Sequence, residues 1–362
     1  MQRSFLPFAE LAHQPALVVD SLYPNLPTFS HWRGAPTPEA VRDDTSGGCV
    51  LRALTRTPEL LRLPYVTANH FDIDGFVGVW SLLHPEAALA AQDRLLDMAR
   101  IGDFRELNLD RPAARAALPL VCWINERETA LFYPPFAAGG REAVASVPKF
   151  TFFNEAFEEV LRQPEMFRDH WGPEHDTVLQ DAALVRQHAD AIVRYPELGL
   201  VVLRLPRPVH YYALFGVTEG FDMVLAQYPD QRYELEYKYT TWIDLASRPT
   251  LPRLHLQPLV ERLNALERGP LPWHAEPITD TGPILRLDAR SLPKPQRYGH
   301  PTERPIHTSS IPPHELEQQV VAYFREYYAG VQARWRWTWH EIRTLNQQIF
   351  GKKADRGALP KA

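Results

Sequence analysis

One imidazole and two carboxylates alternate along a short stretch of the chain beside a glycine. The stretch reads NHFDIDGF at 69–76 and places His70, Asp72 and Asp74 at every second position. Because alternate side chains of an extended segment point to the same side, these three groups can converge on one point and bind a divalent metal ion. An acidic turn that caps a helix is the alternative interpretation of such a run.

The elements around this motif place it where a strand turns into a helix. Residues 63–68 (LPYVTA) predict a buried strand, and residues 76–83 (FVGVWSLL) predict a helix. Ligands of open α/β sheets bind at the carboxyl ends of strands. We therefore predict an α/β domain over residues 1–195, with a mostly parallel sheet and flanking helices, and a ligand site at the motif.

The hydrophobic pattern changes to a period of two from residue 199. Strands are predicted at 199–205, 210–217, 221–228 and 233–245, which indicates an antiparallel meander. A helix follows at 256–267, then a stretch rich in proline and arginine, and one long helix at 314–349. The fold class predicted for residues 196–350 is α+β with an antiparallel sheet, and residues 351–362 are expected to be a flexible tail.

Composition limits the classes of function. The 362 residues carry a formal charge of −5, which argues against a protein that coats nucleic acid. The two cysteines are too few for a disulfide framework, and the N-terminus lacks the continuous apolar run of a signal peptide. No apolar run approaches the length of a membrane span. We expect a cytoplasmic protein that is not bound to a membrane.

The spacing His-x-Asp-x-Asp-Gly at a strand-to-helix junction resembles the first motif of the DHH phosphoesterase superfamily. In that superfamily the aspartates of this motif, often with a nearby histidine, bind a pair of manganese ions. The resemblance implies that Asp72 and Asp74 are metal ligands, with His70 beside them. Asp103, which follows a predicted helix and its Gly102, is the candidate for the second motif. The Asp-His-His run itself is absent.

The resemblance implies a metal-dependent hydrolase of a phosphoester or phosphoanhydride, with manganese as the cofactor. Its catalytic residues would be Asp72, Asp74 and Asp103. A pair of divalent ions needs four or more carboxylates and imidazoles. Two runs, Asp169-His170-Trp171 and Glu174-His175-Asp176, each partly replace the missing one. The predicted metal ligands are therefore His70, Asp72, Asp74, Asp103, His175 and Asp176, with His170 as the alternative imidazole and Asp169 or Asp181 as the alternative carboxylate.

A phosphorylated small molecule or a short nucleotide is the expected substrate. Arginine matches the oxygens of a phosphate group, and the predicted substrate-binding residues are Arg105, Arg297 and Arg304. A solvated loop is the alternative interpretation of the arginines in the long aperiodic stretch. A homodimer stays an open alternative. Substitution of Asp74 by Asn is expected to abolish activity at little cost in stability, because carboxylates of such a site repel each other without their ion.

Other interpretations of the motif remain open. Phe71 to Gly75 also resembles the haloacid dehalogenase phosphatase signature, in which Asp72 would be a covalent nucleophile, although Phe76 replaces the usual threonine. A distant His210 or His255 could complete an iron site with His70 and Asp72. Calcium is disfavoured because Ser81 stands where an EF-hand loop needs glutamate.

The chain as a whole resembles a bacterial family of unknown function, and this resemblance implies no activity. The shared stretches are Ser30-His31-Trp32, Thr37-Pro38, Asp44-Thr45-Ser46 and NHFDxDG. A non-catalytic binding protein is therefore a further alternative. The run QARWRWTW at 332–339 bears on it, because tandem aromatic and arginine side chains can stack on the bases of single strands. Burial of these tryptophans against the sheet is the structural alternative.

Overall fold

The structure is a computed structural model that describes residues 2–12, 14–132, 142–238, 240, 242–280, 282–288, 296 and 299–351. The chain divides into two compact units, Met1–Leu179 and Gln180–Ala362. The domain boundary predicted near residue 195 thus lies inside the second unit. The predicted tail at 351–362 falls, apart from Gly351, outside the described residues.

The first unit is built on a parallel sheet, as the sequence predicts. Its four strands have the order β1-β4-β2-β3, and every neighbouring pair is parallel. All four residues of β2 are buried, because a parallel sheet is covered on both faces. The strands are β1 Ser4–Phe5, β2 Ala16–Val19, β3 Thr28–Phe29 and β4 Tyr65–Thr67.

Among the described residues, seven α-helices belong wholly or partly to the first unit, and the last of them crosses into the second. They are α1 Ser46–Arg56, α2 Ile73–Leu83, α3 Pro85–Ala90, α4 Gln92–Phe104, α5 Pro112–Phe132, α6 Glu142–Arg162 and α7 Arg168–Gln187.

An aromatic cluster between α2 and α6 fixes the backbone of the HFDIDG motif. The ring of Phe71 stacks on Phe153 at 4.9 Å, and the ring of Phe76 meets Phe157 edge-on at 5.1 Å. The backbone N–H of Phe71 also donates to Oγ of Ser146 at 2.9 Å. Such pairs add to the burial of the rings themselves. With Phe71 held in the core, the polar residues on either side of it are directed elsewhere.

The second unit contains a mixed sheet of six strands that is mostly antiparallel, in agreement with the predicted fold class. Its order is β5-β6-β7-β8-β10-β9, and only β6 and β7 are parallel neighbours. The strands are β5 Ile192–Tyr195, β6 Leu200–Arg204, β7 Met223–Tyr228, β8 Arg232–Tyr237, β9 Trp273–Ala275 and β10 Gly282–Leu287.

The strand predicted at 210–217 is wrong, and so is the meander that depended on it. Residues Tyr211–Phe215 form helix α8, which begins where the His210 ring accepts a hydrogen bond from the Tyr212 N–H. Since β6 and β7 are parallel, the chain must cross from one end of the sheet to the other between them, and α8 lies in that crossover. A hairpin could not make this connection.

The single terminal helix predicted at 314–349 is also wrong. Two helices occur there, α10 Pro313–Tyr327 and α11 Trp339–Phe350, and α9 Gln257–Leu266 precedes them. Gly330 has a φ of +80°, which ends the helical path, and Thr338 with Glu341 forms a capping box that starts the next helix. Aliphatic and aromatic residues of α9 and α10 pack on one sheet face, among them Leu259, Leu263, Val320 and Phe324. Within the described part of the chain, no helix is long and apolar enough to cross a membrane.

Candidate metal centre

The carboxyl ends of three parallel strands meet at one edge of the first sheet. Asp20 directly follows β2, His31 comes two residues after β3, and His70 comes three residues after β4. Neighbouring parallel strands end on the same side, so residues distant in sequence come together there. Asp72 and Asp74 then lie at the start of α2, which begins at this edge.

An inner group of possible ligands consists of Asp20, His31 and Asp74. Nε2 of His31 lies 3.4 Å from Oδ1 of Asp20 and 3.6 Å from Oδ2 of Asp74. The three side chains are at most 2% exposed. Each offers one ligand atom, and these atoms lie within 4.8 Å of one another, which is the spacing of donors around one cation.

An outer group consists of Asp20, His70 and Asp72. Nε2 of His70 lies 3.3 Å from Oδ2 of Asp20 and 3.0 Å from Oδ2 of Asp72. The side chains of His70 and Asp72 are 25% and 39% exposed, so this group can be reached from solvent. The ring of Trp32 lies beside it, with its centroid 5.6 Å from that of His70.

Asp20 belongs to both groups and turns a different oxygen to each of them. Oδ1 faces His31 and accepts a hydrogen bond from Oγ of Ser46 at 2.6 Å, whereas Oδ2 faces His70. The backbone of Asp20 has a φ of 46°, a left-handed conformation that aspartate tolerates better than most residues. A carboxylate placed in this way can bridge two cations.

The N-termini of two helices supply backbone donors to the cluster. Asp74 accepts hydrogen bonds from the N–H groups of Ser46 and Gly47, both at 2.7 Å, at the start of α1. Asp72 caps its own helix by accepting from the Gly75 N–H at 2.7 Å. A Cβ at Gly47 would lie 2.9 Å from Cγ1 of Val77, so only glycine lets α1 approach α2 this closely.

Both imidazoles are oriented by an acceptor behind them. Nδ1 of His31 lies 2.5 Å from the carbonyl oxygen of Asp44, and Nδ1 of His70 lies 2.6 Å from Oδ1 of Asn69. A carbonyl oxygen can only accept, so Nδ1 of His31 carries a proton and Nε2 faces the carboxylates. Metal-binding histidines are held in this way, with the second nitrogen donating to a carbonyl or carboxylate.

Asp103 completes the cluster from α4. Its Oδ2 lies 4.0 Å from Nε2 of His31, is buried, and has no hydrogen-bond partner among the described residues. The sequence placed Asp103 in a turn after the helix, which is wrong, because α4 continues to Phe104. Helix α4 continues through Gly102 because this residue packs against Ile73, where a Cβ would lie 2.5 Å from Cβ of Ile73. The close packing brings Asp103 beside the start of α2.

Burial and the neighbouring charges shift the pKa values of the carboxyl and imidazole groups in the cluster. Desolvation and neighbouring carboxylates raise the pKa of Asp103 to about 7, and desolvation raises the pKa of Asp74 as well. Desolvation opposes the charge on Asp20, but the contacts with His31 and His70 outweigh it and lower its pKa to about 2. Desolvation likewise opposes the charge on His70, but Asp72 and Asp20 outweigh it and raise its pKa to about 10.

The charges of the cluster fit a cation. Four carboxylates face two imidazoles, so the acidic groups outnumber the basic ones in the cluster. A buried carboxylate oxygen without a partner, such as Oδ2 of Asp103, is costly unless a positive charge meets it. The mixture of oxygen and nitrogen donors suits a divalent transition metal.

Other residues predicted for the site lie elsewhere. His175 and Asp176 lie on α7, where they contact each other at 3.2 Å and Arg168 contacts Asp176, so they do not join the cluster. Arg304 is buried in the second unit, where its Nε donates to Glu234 at 3.0 Å and its Nη2 also bonds Glu236. Its donors are thus engaged within the protein.

Two predicted substrate contacts stay predictions. Arg105 lies at the C-terminus of α4 with a left-handed φ of 57°, two residues after Asp103. Arg297 lies outside the described residues. His210 and His255, considered as iron ligands, both belong to the second unit.

Sequence reasoning missed Asp20 and His31 as members of the site. Asp20 is a single acid after a strand, and His31 lies in a proline-rich loop, so neither shows a metal-ligand spacing. Their positions in the sequence could have identified them. Each follows a short strand that could pair in parallel with the strand before the HFDIDG motif, and ligands bind where such strands end.

The chain belongs to a family of unknown function, DUF6687, which matches residues 1–335. This match includes the whole candidate metal centre. No curated protein and no solved structure matches the chain.

Proposed function

We propose that this protein is a metal-dependent hydrolase of a phosphoester or phosphoanhydride that uses a pair of divalent cations, with manganese as the natural ion. The observation that carries the proposal is the position of Asp20 between two donor groups, one oxygen toward His31 and the other toward His70. Asp74 and Asp103 would complete the inner position, and Asp72 the outer one. When bound, such a cation pair acidifies water and offsets charge on a phosphoryl group.

The side chains give the two positions different tasks. The inner donors are buried and held by backbone hydrogen bonds, so their role is to fix a cation with little exchange. The outer donors are partly exposed, so a phosphate oxygen can reach that position from solvent. Asn69 orients the His70 ring toward the outer position through its hydrogen bond to Nδ1.

The test is hydrolysis of an activated phosphodiester and of a phosphomonoester by the full chain, first stripped with a chelator and then reloaded with manganese. The expected result is turnover that depends on metal and falls at least about a hundredfold in Asp20→Asn and Asp72→Asn, since loss of a ligand should exceed the 10–100-fold effect of outer contacts. Asp176→Asn, which removes an exposed carboxylate on α7, is the matched control and should retain activity.

Two results would contradict the proposal. A phosphorylated Asp72 trapped on the protein during turnover would favour the haloacid dehalogenase alternative; Asp72 is the most exposed of the four carboxylates, at 39%. Stoichiometric metal binding without turnover on any phosphorylated substrate would favour a non-catalytic binding protein.

A further inference from the structure

A cavity of about 470 Å³ lies between α11 and the loop before it, in the second unit. Its volume falls in the range of about 300–1,000 Å³ that is usual for small-ligand sites. Its lining includes Arg334, Trp337, His340, Thr344 and Gln348. His340, Thr344 and Gln348 recur every four residues and so share one face of α11.

The loop that forms one wall is fixed to the rest of the unit. Arg334 and Thr250 exchange two backbone hydrogen bonds, at 2.9 and 3.0 Å, and Nε1 of Trp337 donates to the Thr250 carbonyl at 2.8 Å. Thr338 and Glu341 then anchor the first turn of α11 through their capping box. The cavity is therefore preformed, which lowers the entropic cost of binding.

The three alternating tryptophans of this loop have three different environments. Trp337 is buried, Trp339 packs edge-on against Trp242 at 5.0 Å, and Trp335 is 57% exposed. The first two are explained by packing in the second unit. Trp335 is not, and it lies in a run of five exposed residues from Gln332 to Arg336.

The charge of this region is opposite to that of the whole chain. Residues 330–348 contain three arginines and His340 against one acid, Glu341, although the whole chain has a formal charge of −5. The carboxylate of Glu341 accepts hydrogen bonds from Thr338 and also pairs with Nη1 of Arg334 at 3.3 Å, so one of the three arginines is already balanced. The guanidinium carbon of Arg334 lies over the Trp337 ring, 4.4 Å from its centroid. Indole rings and guanidinium planes are among the groups on which nucleobases stack.

We propose that this cavity and Trp335 bind single-stranded nucleic acid, with a base stacked on the exposed Trp335 and phosphates held by the basic side chains of residues 330–348. A purely anionic partner such as an acidic peptide would use the positive charge but would give no role to an exposed indole. The site is independent of the metal centre in the first unit, and its failure would leave the hydrolase proposal untouched.

The test measures binding of a fluorescent single-stranded oligothymidylate of about 15 nucleotides, a length that covers a typical single-strand site, to the full chain by fluorescence anisotropy. Trp335→Ala should weaken binding about tenfold, as expected for loss of one base stack, and Trp335→Phe should largely restore it. Arg325→Ala, an exposed arginine of α10 paired with Glu197, is the matched control and should bind as the parent does.

Several outcomes would overturn the proposal. They are unchanged affinity in Trp335→Ala, equal competition by polyglutamate of the same charge, and equal affinity for a free nucleoside monophosphate, which would assign the cavity to small nucleotides. Affinity should also fall about tenfold between 50 and 200 mM salt, and an absence of salt dependence would contradict the phosphate contacts. Asp20→Asn should bind the strand normally, which separates this result from any failure at the metal centre.

Discussion

Asp20 contacts His31 with one carboxylate oxygen, at 3.4 Å, and His70 with the other, at 3.3 Å. This relationship joins a buried donor group to an exposed one through a single side chain. It also defines which variants should affect one cation position and which should affect both.

Asp20→Asn should remove metal binding at both positions, whereas Asp72→Asn should remove only the outer one. The reason is that Asp20 alone belongs to both donor groups. Metal content per chain, measured by mass spectrometry after desalting, should fall from two ions to none in the first variant and to one in the second. Equal loss in both variants would contradict two separate positions.

Asp74→Asn should cost about 1–3 kcal/mol of stability as well as metal binding. This revises the expectation from sequence, because Asp74 accepts the N–H groups of Ser46 and Gly47, and an amide leaves a buried donor facing them. Asp72→Asn is the control, since asparagine also caps helices well. Denaturant unfolding of the metal-free proteins should show the difference, and equal stability would contradict this role of Asp74.

Gly102→Ala should destabilise the first unit by about 1–3 kcal/mol, the usual cost of overpacking. The new Cβ would lie 2.5 Å from Cβ of Ile73 and would push α4, with Asp103, away from α2. In Gly172→Ala on α7 the nearest atom is Cγ of Arg168 at 3.5 Å, so this change should be neutral or stabilising. Thermal unfolding of the two variants checks the contrast.

Removal of metal should lower the stability of the first unit. Four carboxylates repel one another without a cation, and an ion present at a hundred times its dissociation constant adds about 2.7 kcal/mol. Thermal unfolding with and without chelator measures the effect. The shift should vanish in Asp20→Asn, and a shift of the same size in that variant would indicate binding elsewhere.

Glu267→Gln should reduce stability at neutral pH but not in strong acid. Desolvation opposes the charge on Glu267, but hydrogen bonds from Ser309, Ser310 and Gly269 outweigh it and lower its pKa to about 2. Because the folded pKa lies below the unfolded one, the stabilisation is present above about pH 4.5 and is lost as the pH falls towards 2.

The expected loss is about 1–2 kcal/mol at pH 6, allowing for the partial exposure of Glu267. Glu261→Gln changes an exposed acid on α9, the helix that ends directly before Glu267, and is the control. Urea unfolding between pH 2 and 7 should show the curves of parent and Glu267→Gln converging in acid. A constant difference at every pH would contradict the charge-dependent role.

The sequence was sufficient for the fold class and for four of the six side chains of the candidate site, since only Asp20 and His31 were missed. Local pattern identifies β4, α2 and the polar positions between them, because alternation and helix spacing are properties of neighbouring residues. Asp20 and His31 could not be found in this way, since their proximity depends on which strands pair and in what direction.

The errors have equally local causes. The aromatic run 210–217 alternates like a strand, but the crossover from β6 to β7 and the cap from His210 make it a short helix. His175 and Asp176 were selected as an acid and imidazole doublet, a combination that is also common on the solvent side of a helix such as α7.

The hydrogen bonds from Ser46 and Gly47 to Asp74 make the first turn of α1 a built-in reporter of the cluster. A cation bound to that carboxylate would change the chemical shifts of the two amide protons that donate to it. Neither amide has to contact the cation or a substrate. The amide resonances of these two residues would therefore register occupancy of the inner position directly, before a substrate is known.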